Sequence, residues 1–305
     1  MGTWGIGLYD SDDALDLRED FKAVVRAPWD GDRLLRWALE AFPAAADSGD
    51  STYSDLRLAL ADLFWLYGIE HAGVRDDALR LVSSGADIET KRALGMTDRD
   101  LARRAKVLRR LSEKWSAANP KPRPRRIHEQ PEQFVLEVGD CFAYPTAVGR
   151  ARNPYVSPAR EKWFYERYPW KQDGWAAAIV LTRTHRFETF ARYLIALLRY
   201  DEPARPDLAL VPSLNVLHSK TFMPNPLRRV HLVHTKALHL RRMRVEVLGN
   251  LAVNEQRVRA EFAKELATAG RELANDAWTL PDMYEHRPQL LAPANVPDPI
   301  RAFLV

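Results

Sequence analysis

The sequence predicts an α+β protein: a helical N-terminal domain, then a small, strongly bent antiparallel β-sheet or barrel domain with a closing C-terminal helix. Three observations predict this fold class. Apolar residues recur at helical spacing up to residue 118. A segment with four prolines follows and cannot form a regular helix. Short apolar runs bounded by glycine turns begin at residue 133. We therefore expect a helical domain over 1–118, a Pro/Arg-rich linker over 119–132 and a β-rich domain over 133–305.

The helical domain is predicted from five apolar stripes and their end signals. Asp10 or Ser11 can cap the first helix, and Pro28 ends it. Gly68 favours a left-handed C-cap for the third helix, and Thr97 begins a capping box for the fifth. The expected helices lie near 11–27, 32–42, 53–67, 75–82 and 98–118.

The β-rich domain is predicted from short runs of alternating or continuous apolar residues. Expected strands lie at 133–138, 141–144, 175–182, 230–234 and 243–248, whereas residues 193–200 fit either a strand or a helix. An aromatic insert over 155–170 separates the second strand from the third. The closing helix is expected over 254–275, and the proline-rich chain from residue 278 is expected to pack as an extended arm.

Composition indicates a soluble globular protein, with 46% hydrophobic and 28% charged residues among 305. No apolar run approaches the roughly 18 residues needed to cross a bilayer, and no secretory signal is predicted. The single cysteine, Cys141, excludes an internal disulfide framework and a cysteine-rich metal site. We therefore expect a cytoplasmic protein without a membrane partner.

The charge is unevenly distributed along the chain. Residues 1–90 hold 18 Asp and Glu against 8 Lys and Arg, whereas the remaining 215 residues carry a net charge of about +14. A basic surface binds nucleic acid or an acidic protein, although most such surfaces are simply solvated. The charge therefore leaves these alternatives open.

The opening residues, Met1-Gly2-Thr3-Trp4-Gly5, form a distinctive motif, followed by Asp12-Asp13-Ala14-Leu15-Asp16. Glycine is favoured where the backbone passes close to other atoms, so we expect this start to lie tucked against its own domain. The pattern resembles the bacterial family called domain of unknown function 4259. That resemblance covers the helical domain and implies no activity.

A second motif lies in the β-rich domain, over 134–145 (Phe-Val-Leu-Glu-Val-Gly-Asp-Cys-Phe-Ala-Tyr-Pro) and 243–250 (Met-Arg-Val-Glu-Val-Leu-Gly-Asn). It resembles the Immunity-26 family of bacterial polymorphic toxin systems. It departs from that family at Val245, where a Trp is usual, at Thr146, where a Leu is usual, and in its long aromatic insert. The resemblance implies an immunity protein that neutralises a cognate toxin domain, encoded nearby, by occupying it.

Neutralisation by occupation needs a rigid binding surface and no catalytic group. Tyr, Trp and Arg are the residues most enriched at interface hot spots, and the aromatic insert is rich in them. The predicted partner-binding residues are Trp163, Tyr165, Arg167, Tyr168 and Trp170. No nucleophile elbow, phosphate-binding loop or zinc-protease helix motif is present, so no catalytic residue and no cofactor are predicted.

Two other functions remain open from the sequence. The first is nucleic-acid binding by the basic helix and linker, because phosphates are bound by clustered Lys and Arg. Its predicted contacts are Arg103, Arg104, Arg110, Arg123, Arg125 and Arg126. The second is an enzyme of unrecognised type, which a pocket with convergent Asp, His and Arg groups would support.

Three further features are explained more simply by structure than by function. The acidic residues Asp10, Asp12, Asp13 and Asp16 fit the start of a helix, where negative charge is favoured. His231 and His234 point to opposite faces of a strand, so no metal site is predicted, although a functional role stays open. Cys141 fits a small buried side chain better than a nucleophile.

Overall fold

The computed structural model describes residues 5–148, 150–200, 202–218, 229–267 and 298–305. The chain divides into two compact units, Met1–Gln130 and Pro131–Val305, called here the helical unit and the sheet unit. Helices thus precede strands, as the α+β prediction requires, and that fold class is confirmed. Among the helices of the described residues, none has the length and apolar character needed to span a membrane.

Six helices build the helical unit: α1 Asp12–Val24, α2 Gly31–Ala41, α3 Tyr53–Tyr67, α4 Ala72–Ser84, α5 Ala86–Ala93 and α6 Asp98–Trp115. Their ends follow the sequence signals. The Ser11 hydroxyl accepts a hydrogen bond from Ala14 N, and the Thr97 hydroxyl accepts one from Asp100 N. Gly68 takes the left-handed conformation after α3, with φ of 65°.

An aromatic cluster forms the centre of the helical unit. The Phe21 ring of α1 lies 6.2 Å from the Trp37 ring of α2, and 5.8 Å and 6.0 Å from the Phe64 and Tyr67 rings of α3. Tilted aromatic pairs at these centroid distances add to the free energy gained by burial alone. The cluster therefore ties three helices together.

The segment 119–130 packs along the helical unit. Arg123 N donates to Leu66 O, and His128 N donates to Arg26 O. The Arg125 guanidinium donates to three carbonyl oxygens beyond the end of α1, those of Val25, Ala27 and Trp29. A helix end leaves backbone carbonyls without partners, and one guanidinium supplies several donors. Residues 119–130 of the predicted linker are therefore anchored on the helical unit.

The described residues of the sheet unit contain six antiparallel strands: β1 Asp140–Ala147, β2 Arg150–Ala151, β3 Gly174–Arg186, β4 Phe190–Leu198, β5 His231–Val233 and β6 Glu246–Asn250. The spatial order is β2-β1-β3-β4-β5, and β6 pairs with β1. The described strands form an open sheet and do not close into a barrel. Bulges interrupt the β1–β6 and β3–β4 ladders, which increases the local twist and bend.

Both faces of this sheet are covered. One face buries Phe142, Tyr144, Tyr193 and Val233, with Met243 of helix α8 (Ala237–Met243) packed against them. The other face buries Ile179 and Leu194 beneath Val258 of helix α9 (Glu255–Glu261) and Phe303 of the C-terminal segment 298–305. Strands covered on both faces read as continuous apolar runs, which is why residues 175–182 lack alternation.

Several boundaries differ from the sequence prediction. Residues 133–138 form no strand; instead Val135 N donates a hydrogen bond to the Tyr193 hydroxyl. The segment 193–200 belongs mostly to strand β4, which settles that alternative. The closing helix is described as α9 followed by α10 (Ala263–Ala267), and its predicted continuation to residue 275 lies outside the described residues. The predicted arm from residue 278 is described only over 298–305, where it packs on the sheet with a 3-10 turn at Ile300–Phe303.

Cys141 occupies a fully buried position on β1, where its thiol donates to Gly139 O at 3.5 Å. Burial and the charge of Asp140 raise the pKa of the thiol to about 12, so only about one molecule in ten thousand holds a thiolate at pH 8. We expect iodoacetamide to leave the native protein unmodified at pH 8 and to alkylate it after unfolding in urea. Equal alkylation rates in the native and unfolded protein would contradict this placement.

Candidate protein-interaction surface

The aromatic insert folds as helix α7, Pro158–Arg167, between strands β2 and β3. Pro158 occupies the first turn, where its missing N–H costs nothing and its fixed φ suits a helix. At the other end Tyr168 N donates to Phe164 O. No residue of α7 is buried, so this helix presents its side chains to solvent or to a partner.

Two of the five predicted partner-binding residues hold α7 in place. The Arg152 guanidinium, just after β2, lies 4.7 Å from the centre of the Tyr165 ring and 5.9 Å from that of Trp170. Arg152 also forms an ion pair with Glu161 on α7, and Arg244 lies 6.0 Å from the Trp170 ring. Cations over aromatic faces are stabilising, so Tyr165 and Trp170 help to hold α7 in place.

The other three predicted residues, Trp163, Arg167 and Tyr168, form an outward patch called here the α7 surface. The Trp163 side chain is 57% exposed and Tyr168 is 54% exposed. The Arg167 guanidinium lies 5.7 Å from the Trp163 ring and 5.8 Å from the Tyr168 ring. Within the described residues, these are the only two aromatic side chains that are predominantly exposed. The α7 surface therefore combines two uncovered rings with a cation between them.

The six predicted nucleic-acid contacts do not form one surface. Arg103 and Arg110 are exposed on α6, and Arg123 and Arg126 are exposed on the segment after it. Arg125 is committed to backbone carbonyls, as described above. Arg104 is fully buried. The prediction is wrong for Arg104, because its guanidinium is not accessible to a phosphate. Arg125 is half-buried and uses Nε and Nη2 for the protein backbone.

Arg104 belongs to a buried ion network that sequence reasoning missed. Its Nε and Nη2 donate to Asp87 at 2.6 Å and 2.8 Å, and Nη2 also donates to Asp55 at 2.8 Å. Lys91 forms an ion pair with the same Asp55. All four side chains are at most 2% exposed. The network therefore neutralises two buried carboxylates with two buried cations inside the helical unit.

The network also reaches the glycine-rich start of the chain, because Arg104 Nη1 donates to Gly7 O at 3.2 Å. Burial lowers the pKa of the Arg104 guanidinium, but hydrogen bonds and the charges of Asp87 and Asp55 outweigh it and hold the pKa above its usual value. The sequence holds one signal for this site, because Asp87 and Lys91 are four residues apart and would lie on one face of a helix. In the structure they are the two buried residues of α5.

The acidic N-terminal residues act mainly at the start of α1. Asp12 and Asp13 lie in its first turn, and Asp10 accepts a hydrogen bond from Gly7 N at 2.6 Å.

Asp10, Asp12 and Asp13 also border a cavity of about 690 Å³ whose lining includes Asp100 and the aliphatic side chain of Leu94. Burial and the neighbouring carboxylates raise the pKa of Asp13. Within the described residues, no three His, Cys, Asp or Glu side chains converge as a metal site would require.

His231 and His234, the two histidines singled out in the sequence, both make contacts within the sheet unit. His231 is buried on β5, opposite Ile195. His234 Nε2 lies 2.8 Å from Glu132 Oε2, and Lys236 Nζ donates to Glu132 Oε1 at 2.6 Å. Burial of Glu132 opposes its ionisation, but these two partners outweigh burial and lower the pKa of its carboxyl to about 2. The cluster is therefore a pH-sensitive contact of the fold.

The Glu132 cluster predicts a dependence of stability on pH. In the folded protein the pKa of the Glu132 carboxyl is about 2, below its usual 4.5. The ionised carboxyl therefore adds its full contribution to the free energy of unfolding above pH 4.5, and this contribution is lost as pH falls towards 2. We expect Glu132→Gln to lower the free energy of unfolding by about 2–3 kcal/mol at pH 5.5. In urea titrations the difference between wild type and variant should fall by more than half at pH 3. A difference that stays constant between these two pH values would contradict the assignment.

No family model, curated protein or solved structure matches this chain. Function is therefore inferred from the exposed rings, the charges and the packing of the described residues. The α7 surface is the feature that most clearly indicates binding, because its exposed Trp and Tyr side chains leave apolar surface in contact with water that a partner would cover.

Proposed function

We propose that this chain is a non-catalytic binding protein of the immunity type, which neutralises a cognate toxin domain by occupying it. The observation that carries the proposal is the pair of exposed rings, Trp163 and Tyr168, flanking Arg167 on a helix without buried residues. Trp, Tyr and Arg are the side chains that most often dominate binding energy at protein interfaces. Burying the two rings in a partner would remove apolar surface from water at low cost in side-chain entropy.

The surroundings of the α7 surface indicate the chemistry of the partner. Three further cations are exposed near it. Arg160 lies on α7, Lys171 follows α7 in the sequence, and Arg244 lies close to the Trp170 ring. A partner with apolar recesses for the two rings and an acidic rim would complement this patch. The contacts of Arg152 with Tyr165 and Glu161 fix α7 before binding, which lowers the entropy lost on association.

The resemblance to the Immunity-26 family agrees with this proposal. The two segments that carry it, 134–145 and 243–250, supply the paired strands β1 and β6, with Phe142 opposite Val247. Residues that are far apart in the chain thus become neighbours in one sheet. The resemblance of the chain's start to domain of unknown function 4259 adds no activity to this proposal.

Co-expression with a protein from a neighbouring reading frame tests the proposed function. We expect a toxin encoded there to arrest growth alone and to be tolerated when this chain is co-expressed. The purified pair should form a stoichiometric complex at moderate salt, with an inactive toxin variant as the binding partner for affinity measurement. Unrelieved growth arrest together with the absence of a complex would overturn the proposal.

A further inference from the structure

A row of exposed cations follows one side of helix α6. Arg99, Arg103, Lys106 and Arg110 are spaced by four, three and four residues, so their side chains lie on one face. With a rise of 1.5 Å per residue, this α6 basic row is about 16 Å long. The opposite face buries Leu101, Leu108 and Trp115, so the row is fixed towards solvent by the core of the helical unit.

The cations of this row are poorly neutralised by the protein. Among the described residues, only Arg103 has an acidic partner within ion-pair distance, Asp100 at 3.4 Å. Several exposed cations on other helices of the unit are paired locally, as in Lys22 with Glu19 and Arg92 with Glu89. Like charges four residues apart destabilise a helix, so the row costs free energy unless anions from outside the chain neutralise it.

The charge of the whole helical unit is arranged around the same segment. Residues 98–130 hold 11 Lys and Arg against 4 Asp and Glu, whereas residues 1–97 hold 10 against 18. Positive potential is therefore concentrated on α6 and the chain after it. A large anion approaching the unit would be attracted to this part and repelled by the rest.

We propose that the α6 basic row binds the phosphate backbone of duplex nucleic acid without reading its sequence. Lys and Arg in a regular row suit phosphates, which supply most of the affinity of non-specific binding. An acidic protein is the weaker candidate, because the described residues place no exposed aromatic anchor on α6. Single strands are disfavoured for the same reason, since they bind by stacking their bases on rings.

A lipid surface also fits the row poorly. Helices that bind membranes insert an apolar face between lipid headgroups. The apolar face of α6 is already used inside the helical unit, where Leu101 and Trp115 are buried. The row therefore offers charge alone, which is the chemistry of a backbone contact.

Fluorescence anisotropy with a labelled 20-base-pair DNA duplex of arbitrary sequence tests this inference in the full-length chain. We expect binding that weakens steeply between 50 and 250 mM KCl. The triple variant Arg99→Gln, Lys106→Gln, Arg110→Gln should reduce the slope of log affinity against log salt by about 2–3 and weaken binding at 100 mM KCl at least tenfold. A second duplex of unrelated sequence should bind with equal affinity.

A matched triple variant distinguishes the effect of the α6 basic row from the effect of lowering the net positive charge of the protein. Arg75→Gln, Arg80→Gln, Arg92→Gln removes three exposed cations of the same unit that are paired with acids, and should leave duplex binding within twofold. Both triple variants should remain folded, with the wild-type circular dichroism spectrum at the temperature of the binding assay. The inference is overturned if the two variants weaken binding equally, if no duplex binds at 50 mM KCl, or if polyglutamate or anionic vesicles bind the row more tightly. It does not depend on the α7 surface.

Discussion

Arg104→Met is expected to lower the free energy of unfolding of the helical unit by about 3–5 kcal/mol. The substitution preserves most of the side-chain volume but removes the charge that lies between Asp55 and Asp87. Asp87 would then be a buried carboxylate without its partner, and Lys91 alone would face Asp55. Urea denaturation followed by circular dichroism at 222 nm measures the change, because the helical unit supplies most of the helix.

Two variants make this result specific to the network. Arg103→Met changes the adjacent, 58% exposed arginine of the same helix and should alter stability by no more than about 0.5 kcal/mol. Adding Asp87→Leu to Arg104→Met removes the orphaned carboxylate and should restore part of the lost stability. A loss below about 1 kcal/mol for Arg104→Met, or no recovery in the double variant, would show that the network is not a stabilising unit.

The same network explains the glycine-rich start of the chain. Gly7 is held from two sides, because its carbonyl accepts from Arg104 and its N–H donates to Asp10. A Cβ atom at Gly7 would lie 2.7 Å from Asp10 Oδ2, so any larger residue there would have to displace the Asp10 carboxylate from its hydrogen bond. The sequence predicted a start tucked against its own domain; the contacts of Gly7 confirm this for Gly7, whereas residues 1–4 lie outside the described residues. The partner, Arg104, could not be foreseen from a position 97 residues away.

Prediction from sequence succeeded where apolar periodicity determines the structure and failed where polar contacts do. Helix α3 has the predicted ends, 53 and 67, because its apolar stripe and Gly68 agree. Helix α5 was missed because its buried residues, Asp87 and Lys91, are charged. Residues 133–138 alternate like a strand, yet the Tyr193 hydroxyl takes the Val135 N–H that a neighbouring strand would have used.

The candidate surface shows the same limit. Composition identified the aromatic insert, but spacing could not divide its rings into packing and exposed groups. That division depends on Arg152 and Arg244, which approach Tyr165 and Trp170 from outside the insert. Likewise Arg103 and Arg104 are adjacent arginines that the sequence alone does not distinguish. Arg104 is buried and Arg103 exposed because the helix turns Arg104 towards Asp87.

Trp163→Ala with Tyr168→Ala is expected to weaken binding to the cognate toxin domain about a thousandfold, or about 4 kcal/mol. Both side chains are more than half exposed in the free chain, so a partner that covers them removes this remaining apolar surface from water. Stability of the free protein should fall by no more than about 1 kcal/mol, because both side chains are more than half exposed and Tyr168 contacts only the Phe164 ring and Arg167 among the described aromatic and cationic side chains. Isothermal titration calorimetry with the inactive toxin and denaturation of the free variant measure the two quantities separately.

Val247→Ala with Leu238→Ala provides the matched control, since both side chains are exposed and apolar but lie outside α7. We expect this pair to bind the toxin within threefold of wild type. Arg152→Ala should weaken binding by an intermediate amount, because it loosens α7 while leaving Trp163 and Tyr168 intact. If the control pair loses as much affinity as the ring variant, or the ring variant binds normally, the α7 surface is not the contact with the toxin. The growth-protection assay then decides independently whether the chain neutralises that toxin through another surface.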